Sequence, residues 1–215
     1  METVEKILNA GHGVVFIDDG SKNDEAYQQL KKKELENLVT IQHPINLGQG
    51  AALQTGATYV QKFHPKAEYI VHFDSDGQHR LEDLDSFLAQ FEKQPKLDIV
   101  VGSRFLGNAI GMDKKRRSHK QLSIVFMKVF VGLKLTDTHN GFRMIKVSAL
   151  PKLEITMNRM AHASEIESLI KTNKLHYAEA PMTVIYSDYA LAKGQKLGNA
   201  VNVAKDFLYK KFFFE

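Results

Sequence analysis

The chain has 215 residues, of which 43% are hydrophobic and 25% charged, enough to bury a real core and unlike a disordered or fibrous protein. Its 29 basic and 25 acidic residues leave a net charge of +4, too mild and too scattered to predict a nucleic-acid partner. With no cysteine, disulfides, zinc–thiolate centres and thiol nucleophiles are excluded.

The start, Met1-Glu2-Thr3-Val4-Glu5, has no basic region followed by an apolar stretch, and no apolar run approaches the ~20 residues needed to span a bilayer. These features predict a cytoplasmic protein. Short runs rich in Val and Ile, each followed by polar residues, predict buried strands over 13–17, 38–41, 69–73 and 98–101. Helices are predicted where apolar residues recur at helical spacing: Leu53, Ala57, Val60 and Phe63; Leu81, Leu84, Leu88 and Phe91; and Leu122, Val125, Phe126 and Val129. The later part is mixed, with strands over 142–145 and 183–186, a helix over 164–171 and a last amphipathic helix at about 197–213. The alternation predicts a single α/β domain over 1–215, a mostly parallel sheet flanked by helices with a Rossmann-like nucleotide-binding half.

In open α/β sheets, ligands bind at the carboxyl ends of the strands. Asp18-Asp19-Gly20-Ser21 and Asp74-Ser75-Asp76-Gly77 both follow apolar strands, which brings four carboxylates to one sheet edge. Asp74 and Asp76, with a further oxygen from Gln78, suit a hard divalent cation, Mg2+ or Mn2+, shared with substrate phosphates. Read alone, an Asp-X-Asp more often just ends a strand; the second acidic strand end shifts the balance toward a site. Asp18 and Asp19 fit hydrogen bonds to a ribose or base, and equally a turn capped at Ser21.

Asn46-Leu47-Gly48-Gln49-Gly50 opens a helix, where Gly48 and Gly50 permit close backbone approach and the helix N-terminus favours a phosphate, although read alone the segment fits a tight turn packed against the sheet slightly better. No Gly-Lys-Ser/Thr follows, so it is not a Walker loop. Arg104, after the fourth strand, is a better phosphate ligand than the surface run of Lys114 and Lys115. Glu165 precedes an amphipathic stretch, which gives it an ordinary helix-dipole role as well as a chemical one.

The order of these segments resembles glycosyltransferase family 2, with its GT-A-like fold, including the group related to polyprenyl-phosphate sugar synthases. The family's Asp-Asp-Gly-Ser, Asn-X-Gly-X-Gly, Asp-X-Asp-Gly-Gln-His, Gly-Ser-Arg and Gly-Phe-Arg motifs stand here in order at Asp18, Asn46, Asp74, Gly102 and Gly141. A narrower resemblance, carried by residues 46–56, 160–165 and 189–195, is to bacterial members thought to act in surface-polysaccharide and cell-envelope assembly.

The resemblance implies transfer of a sugar from a nucleotide-sugar donor to a lipid-linked or glycan acceptor, metal-dependent and inverting. Asp18, Asp19, Gly20, Ser21, Asn46, Gly48, Gly50, Asp74 and Ser75 would bind the donor. Asp76, with Asp74 and Gln78, would hold the metal. Arg104, Arg116, Arg117 and Arg143 would face phosphates of donor or acceptor, and Glu165 would serve as base for a hydroxyl acceptor. Family members usually begin with a strand ending in Pro-X-Tyr-Asn-Glu, lying beside the strand that ends at Asp18. Here Met1 falls within the helix after it, which predicts an N-terminally truncated domain.

The aromatic and basic C-terminus, Phe207-Leu208-Tyr209-Lys210-Lys211-Phe212-Phe213-Phe214, suits either a helix end packed on the domain or peripheral contact with the inner face of the plasma membrane. Two rival readings stand beside this one. Phe73-Asp74-Ser75-Asp76-Gly77 also resembles the nucleophile loop of haloacid-dehalogenase-type phosphatases, although Gln78 and the central position depart from that pattern. The other rival is an inactive, truncated remnant that binds nucleotide sugars weakly.

Overall fold

A computed structural model describes residues 2–158 and 161–186. The expected C-terminal helix, residues 189–195 and Met160 lie outside the described residues. The elements run α1 (Glu2–Asn9), β1 (Val14–Asp18), α2 (Glu25–Lys32), β2 (Leu38–Gln42), α3 (Gln49–Phe63), β3 (Tyr69–His72) and α4 (Leu84–Lys93). They continue with β4 (Ile99–Ile110), α5 (Lys114–Phe130), β5 (Arg143–Lys146), α6 (His162–Thr172) and β6 (Tyr177–Ile185). Short 3-10 turns, Leu81–Asp83 and Val147–Lys152, precede α4 and follow β5.

The α/β class read from the periodicities holds. β1 and β2 pair in parallel, and a four-stranded sheet runs β3-β5-β4-β6. In that sheet β4 and β6 are parallel, and β5 runs antiparallel to both β3 and β4, so β5 alone is reversed. α3 packs on both β1 and β3.

Strand alternation sorts the core onto two faces. Ile99 and Val101 of β4 and Ile145 of β5 point to one side, against Met127, Leu133, Ile166 and Ile170. Val100 and Met144 point to the other, against Phe87, Phe91, Phe142, Met182 and Val184. Both faces of the four-stranded sheet are therefore covered.

Three differences from the sequence pattern have physical causes. β4 passes its expected end at Val101 because Asn108–Ile110 pair with Thr183–Ile185 beyond an irregularity at Ser103/Asn108. Gly107 permits that approach, since a Cβ there would lie 2.2 Å from the Met182 carbonyl oxygen. β6 begins at Tyr177, before the apolar stretch that announced it, and tolerates Pro181 because it is the sheet's edge strand. α2 buries only Tyr27 and Leu30, too little to show a period.

The third predicted helix exists, but of its apolar stripe only Phe126 packs on the core. Leu122, Val125 and Val129 of α5 are exposed, and Met127 is the residue that enters the core. Phe87→Ala should therefore cost about 3–5 kcal/mol in chemical denaturation. Leu122→Ala should stay within about 0.5 kcal/mol of wild type.

Candidate active site

The turn after β1 is closed by Asp18, whose Oδ2 accepts the Ser21 amide at 3.3 Å and the Gln42 side-chain amide at 3.1 Å. Gly20 has φ +61, and a Cβ there would sit 2.4 Å from the Ile45 carbonyl carbon, so glycine lets this turn lie against the segment 45–48. Asp19 reaches across to that segment. Its carboxylate accepts the Leu47 amide at 3.0 Å and the Gly48 amide at 2.6 Å, and meets His43 Nδ1 at 2.8 Å. Its backbone carbonyl accepts Asn46 Nδ2 at 2.9 Å. Burial alone would raise the Asp19 pKa; the His43 hydrogen bond and the two amides outweigh it and hold the group below the usual carboxylate range. The approach to the α3 N-terminus, where a phosphate was expected, thus carries a carboxylate of the chain itself.

The first residues of α3 extend the linkage. Gln49 Nε2 donates to Asp74 Oδ1 at 2.9 Å, joining this loop to the Asp-X-Asp segment after β3. A Cβ on Gly141 would lie 2.3 Å from Asp74 Oδ2, so the Gly-Phe-Arg turn rests directly on that carboxylate. Burial raises the Asp74 pKa, opposed by Arg143, His162 and the Gln49 hydrogen bond. Asp76 Oδ1 accepts the Gln78 amide at 3.0 Å, and the Gln78 carbonyl accepts the Ile185 amide at 3.1 Å, which ties the loop to the end of β6. Ser75 is exposed in this loop. His79 stacks on Phe142 at 5.0 Å, and burial pushes its pKa down to about 4, so it is neutral at pH 7.

Carboxylates from Asp74 and Asp76 form a hard oxygen donor set. Among the described residues no group of three or more His, Asp or Glu side chains is arranged to hold a metal. Mg2+ is commonly bound by one or two carboxylates and completed by substrate phosphates and water.

On the other side stands a basic wall. Buried Arg104 donates through its amide at 3.1 Å and its Nε at 2.6 Å to Asp137 Oδ2, and through Nη1 to the Tyr186 hydroxyl. Asn140 Nδ2 donates to the same Asp137 oxygen at 3.1 Å. The Arg116 guanidinium lies 5.3 Å from the Tyr186 ring, with its Nε buried and without a hydrogen-bond partner among the described residues. Arg117 lies over Phe105 at 5.6 Å. Lys120 Nζ donates to the Thr138 carbonyl at 3.0 Å, and burial beside Arg104 pushes its pKa down to about 8. The Gln78–Ile185 hydrogen bond sets the acidic loop one residue from Tyr186, which Arg104 holds.

Two expected residues sit deeper. Arg143 is enclosed, with Glu167 and Asp74 as its charged neighbours. Glu165 is buried and anchors the loop 156–157: its oxygens accept the Thr156 amide at 3.0 Å, the Thr156 hydroxyl at 2.6 Å and the Met157 amide at 2.8 Å. That loop covers Gly50, whose added Cβ would lie 2.1 Å from the Met157 carbonyl oxygen. Sequence reasoning passed over Asp137, Tyr186, Lys120, Glu167 and His43. Each is a lone polar residue in a loop or helix, and only the Asp137-Thr138-His139-Asn140 run hinted at a polar cluster.

The α/β frame, with acidic turns after β1 and β3, is that of the GT-A glycosyltransferases. The family model "Glycosyl transferase family 2" matches residues 1–154, so the chain belongs to glycosyl transferase family 2. It is 30% identical over 200 residues to the UDP-N-acetylglucosamine–dolichyl-phosphate N-acetylglucosaminyltransferase of Methanococcus voltae, covering 84% of this chain and 78% of that one. It is 24% identical to an undecaprenyl-phosphate mannosyltransferase of Micrococcus luteus, over 68% of this chain and 63% of that one. Among solved structures, glucosyl-3-phosphoglycerate synthase from Mycobacterium tuberculosis, crystallised with Mn2+, uridine diphosphate and phosphoglyceric acid, superposes with a TM-score of 0.67 at 13% identity. That match covers 98% of this chain and 70% of the solved one, and shows the shared fold. No helix among the described residues is long and apolar enough to cross a membrane.

Two outcomes follow from the geometry. Gly141→Ala should push a methyl group into the Asp74 carboxylate and destabilise the fold by about 1–3 kcal/mol in chemical denaturation. Glu167 has its pKa raised to about 7 by burial, so its ionisation weighs against the folded state. That penalty is absent below about pH 4.5 and grows until the pH passes about 7. In melts across that window, Glu167→Gln should gain on wild type by about 1–3 kcal/mol, with the gap opening as pH rises.

Proposed function

We propose that this chain transfers a sugar from a nucleoside-diphosphate sugar to the phosphate of a lipid-linked acceptor, with inversion at the anomeric carbon and with Mg2+ or Mn2+ at the donor diphosphate. The observation that carries this reading is the joining of the two halves of the site. Gln78 of the acidic loop is hydrogen-bonded to Ile185, whose neighbour Tyr186 is held by Arg104. Relatives that act on dolichyl phosphate and undecaprenyl phosphate support a polyprenyl-phosphate acceptor in cell-envelope glycan assembly. The family match leaves no place for the phosphatase reading.

In this mechanism the acceptor phosphate oxygen bonds to the anomeric carbon as the bond from that carbon to the donor diphosphate breaks, releasing the nucleoside diphosphate. An acceptor phosphate is already anionic and needs no general base, which agrees with a Glu165 carboxylate engaged by its own loop. Arg104, Arg116 and Arg117 would orient the incoming phosphate and offset the negative charge of the acceptor phosphate and the departing diphosphate. Asp74 and Asp76 would hold the metal, which supplies charge neutralisation on the departing diphosphate. Asp18 and the turn behind it face the nucleoside, positioned by Asp19.

Thermal shift with UDP, GDP, dTDP and CDP and their sugars, with and without Mn2+, tests the donor half. One nucleotide at ~100 times its Kd should add ~2.7 kcal/mol in the presence of metal, and Asp76→Ala should abolish the gain. A well-folded protein that responds to none of them would overturn the reading.

A further inference from the structure

Asp137, the partner of Arg104, lies in the irregular stretch between α5 and β5, and each polar group of its loop, 136–140, is held by a different element. Glu179 of β6 accepts the Thr136 and Asp137 amides at 2.9 and 3.2 Å. Lys120 of α5 donates to the Thr138 carbonyl. The remaining holds come from α6. Glu167 Oε1 accepts the His139 amide at 2.6 Å, and His139 Nε2 meets the Ser164 hydroxyl at 2.8 Å. Ser164 and Glu167 stand three residues apart, on one face of the helix.

Both sides of this contact cost stability. His139 has φ +52, a left-handed backbone that a non-glycine residue keeps only where its surroundings impose it. Glu167 is buried, and its Oε2 has no hydrogen-bond partner among the described residues. Despite Arg143 and Lys120 nearby, burial raises its pKa to about 7. An apolar side chain, like those of Ile166 and Ile170 on the same helix, would avoid that penalty. What the contact achieves is a fixed backbone at His139. Thr138 and His139 are the two residues between Asp137 and Asn140, and Asn140 Nδ2 closes back onto the Asp137 oxygen that Arg104 uses. Another backbone region at His139 would turn Asn140 away from Asp137 and leave the carboxylate held on fewer sides.

We propose that Glu167 and Ser164 are positioning residues: by holding His139 left-handed they set Asp137, and through Asp137 the direction of the Arg104 guanidinium. The role deepens the proposed reaction and rests on Arg104 as a ligand of the acceptor phosphate.

The test reads Arg104 directly. In a proton–nitrogen correlation spectrum of the full chain, its Nε–H signal, identified by its loss in Arg104→Lys, should exchange slowly with water because it is buried on Asp137. Glu167→Leu should speed that exchange at least about tenfold and Ser164→Ala at least about threefold, whereas Glu167→Gln, which still accepts the amide, should stay within about twofold. His139→Gly in the Glu167→Leu background should restore slow exchange, because glycine takes the left-handed backbone unaided. Calorimetric titration with farnesyl phosphate should rank the variants in the same order. Ser164→Ala, the milder change, decides alone if Glu167→Leu does not fold. Unchanged exchange in the folded variants, equal losses in Glu167→Leu and Glu167→Gln, no recovery with His139→Gly, or farnesyl phosphate bound equally by wild type and Glu167→Leu would each overturn the proposal. Wild type that ignores farnesyl phosphate while Arg104 exchange moves as expected would overturn the acceptor reading and leave the positioning role standing.

Discussion

The carboxylate of Asp19 organises the first half of the site, because it satisfies backbone amides at the mouth of α3 that would otherwise have no partner in that loop. Around it, His43 bridges to Thr55 one helical stretch further on, and Asn46 returns to the Asp19 carbonyl. The turn after β1 and the start of α3 therefore move as one piece. Gln49, next in the chain, carries that rigidity to Asp74. A divalent cation on a donor diphosphate would meet carboxylates already fixed in place, with no reorganisation needed to hold it.

The second half relies on burial. Arg104 and Asp137 are both withdrawn from water, and their attraction must offset a desolvation cost of several kcal/mol per ion. Asn140, Tyr186 and the Arg104 amide add hydrogen bonds around the pair. Arg143, Lys120, Glu167 and His139 continue this charged layer beneath the surface, with His139 donating its amide to Glu167 at 2.6 Å. Arrangements of this kind contribute little net stability. They do hold the Arg104 guanidinium at one angle.

α5 joins the two concerns. Its inner side places Arg116 against Tyr186 and Lys120 against the Thr138 carbonyl, and sends Met127 and the partly buried Phe126 into the core, while Leu122, Val125 and Val129 stay exposed.

Strand ends, glycine turns and the order of motifs were legible because each depends on neighbours in the chain. Asp18 and Asp74 follow apolar strands, Gly20 takes a conformation that other residues resist, and the family pattern runs in one direction along the sequence. Periodicity likewise found α3, α4 and α5. Periodicity could not say which way a stripe faces, because Leu122, Val125 and Val129 have the same spacing whether they meet a core or solvent. Nor could local sequence show that Asp19 caps a loop 28 residues away, that Asp137 neutralises Arg104 across 33, or that Glu165 holds its own loop. Those pairings exist only once the sheet has brought distant segments within hydrogen-bond range, and burial then decides which charges are shared.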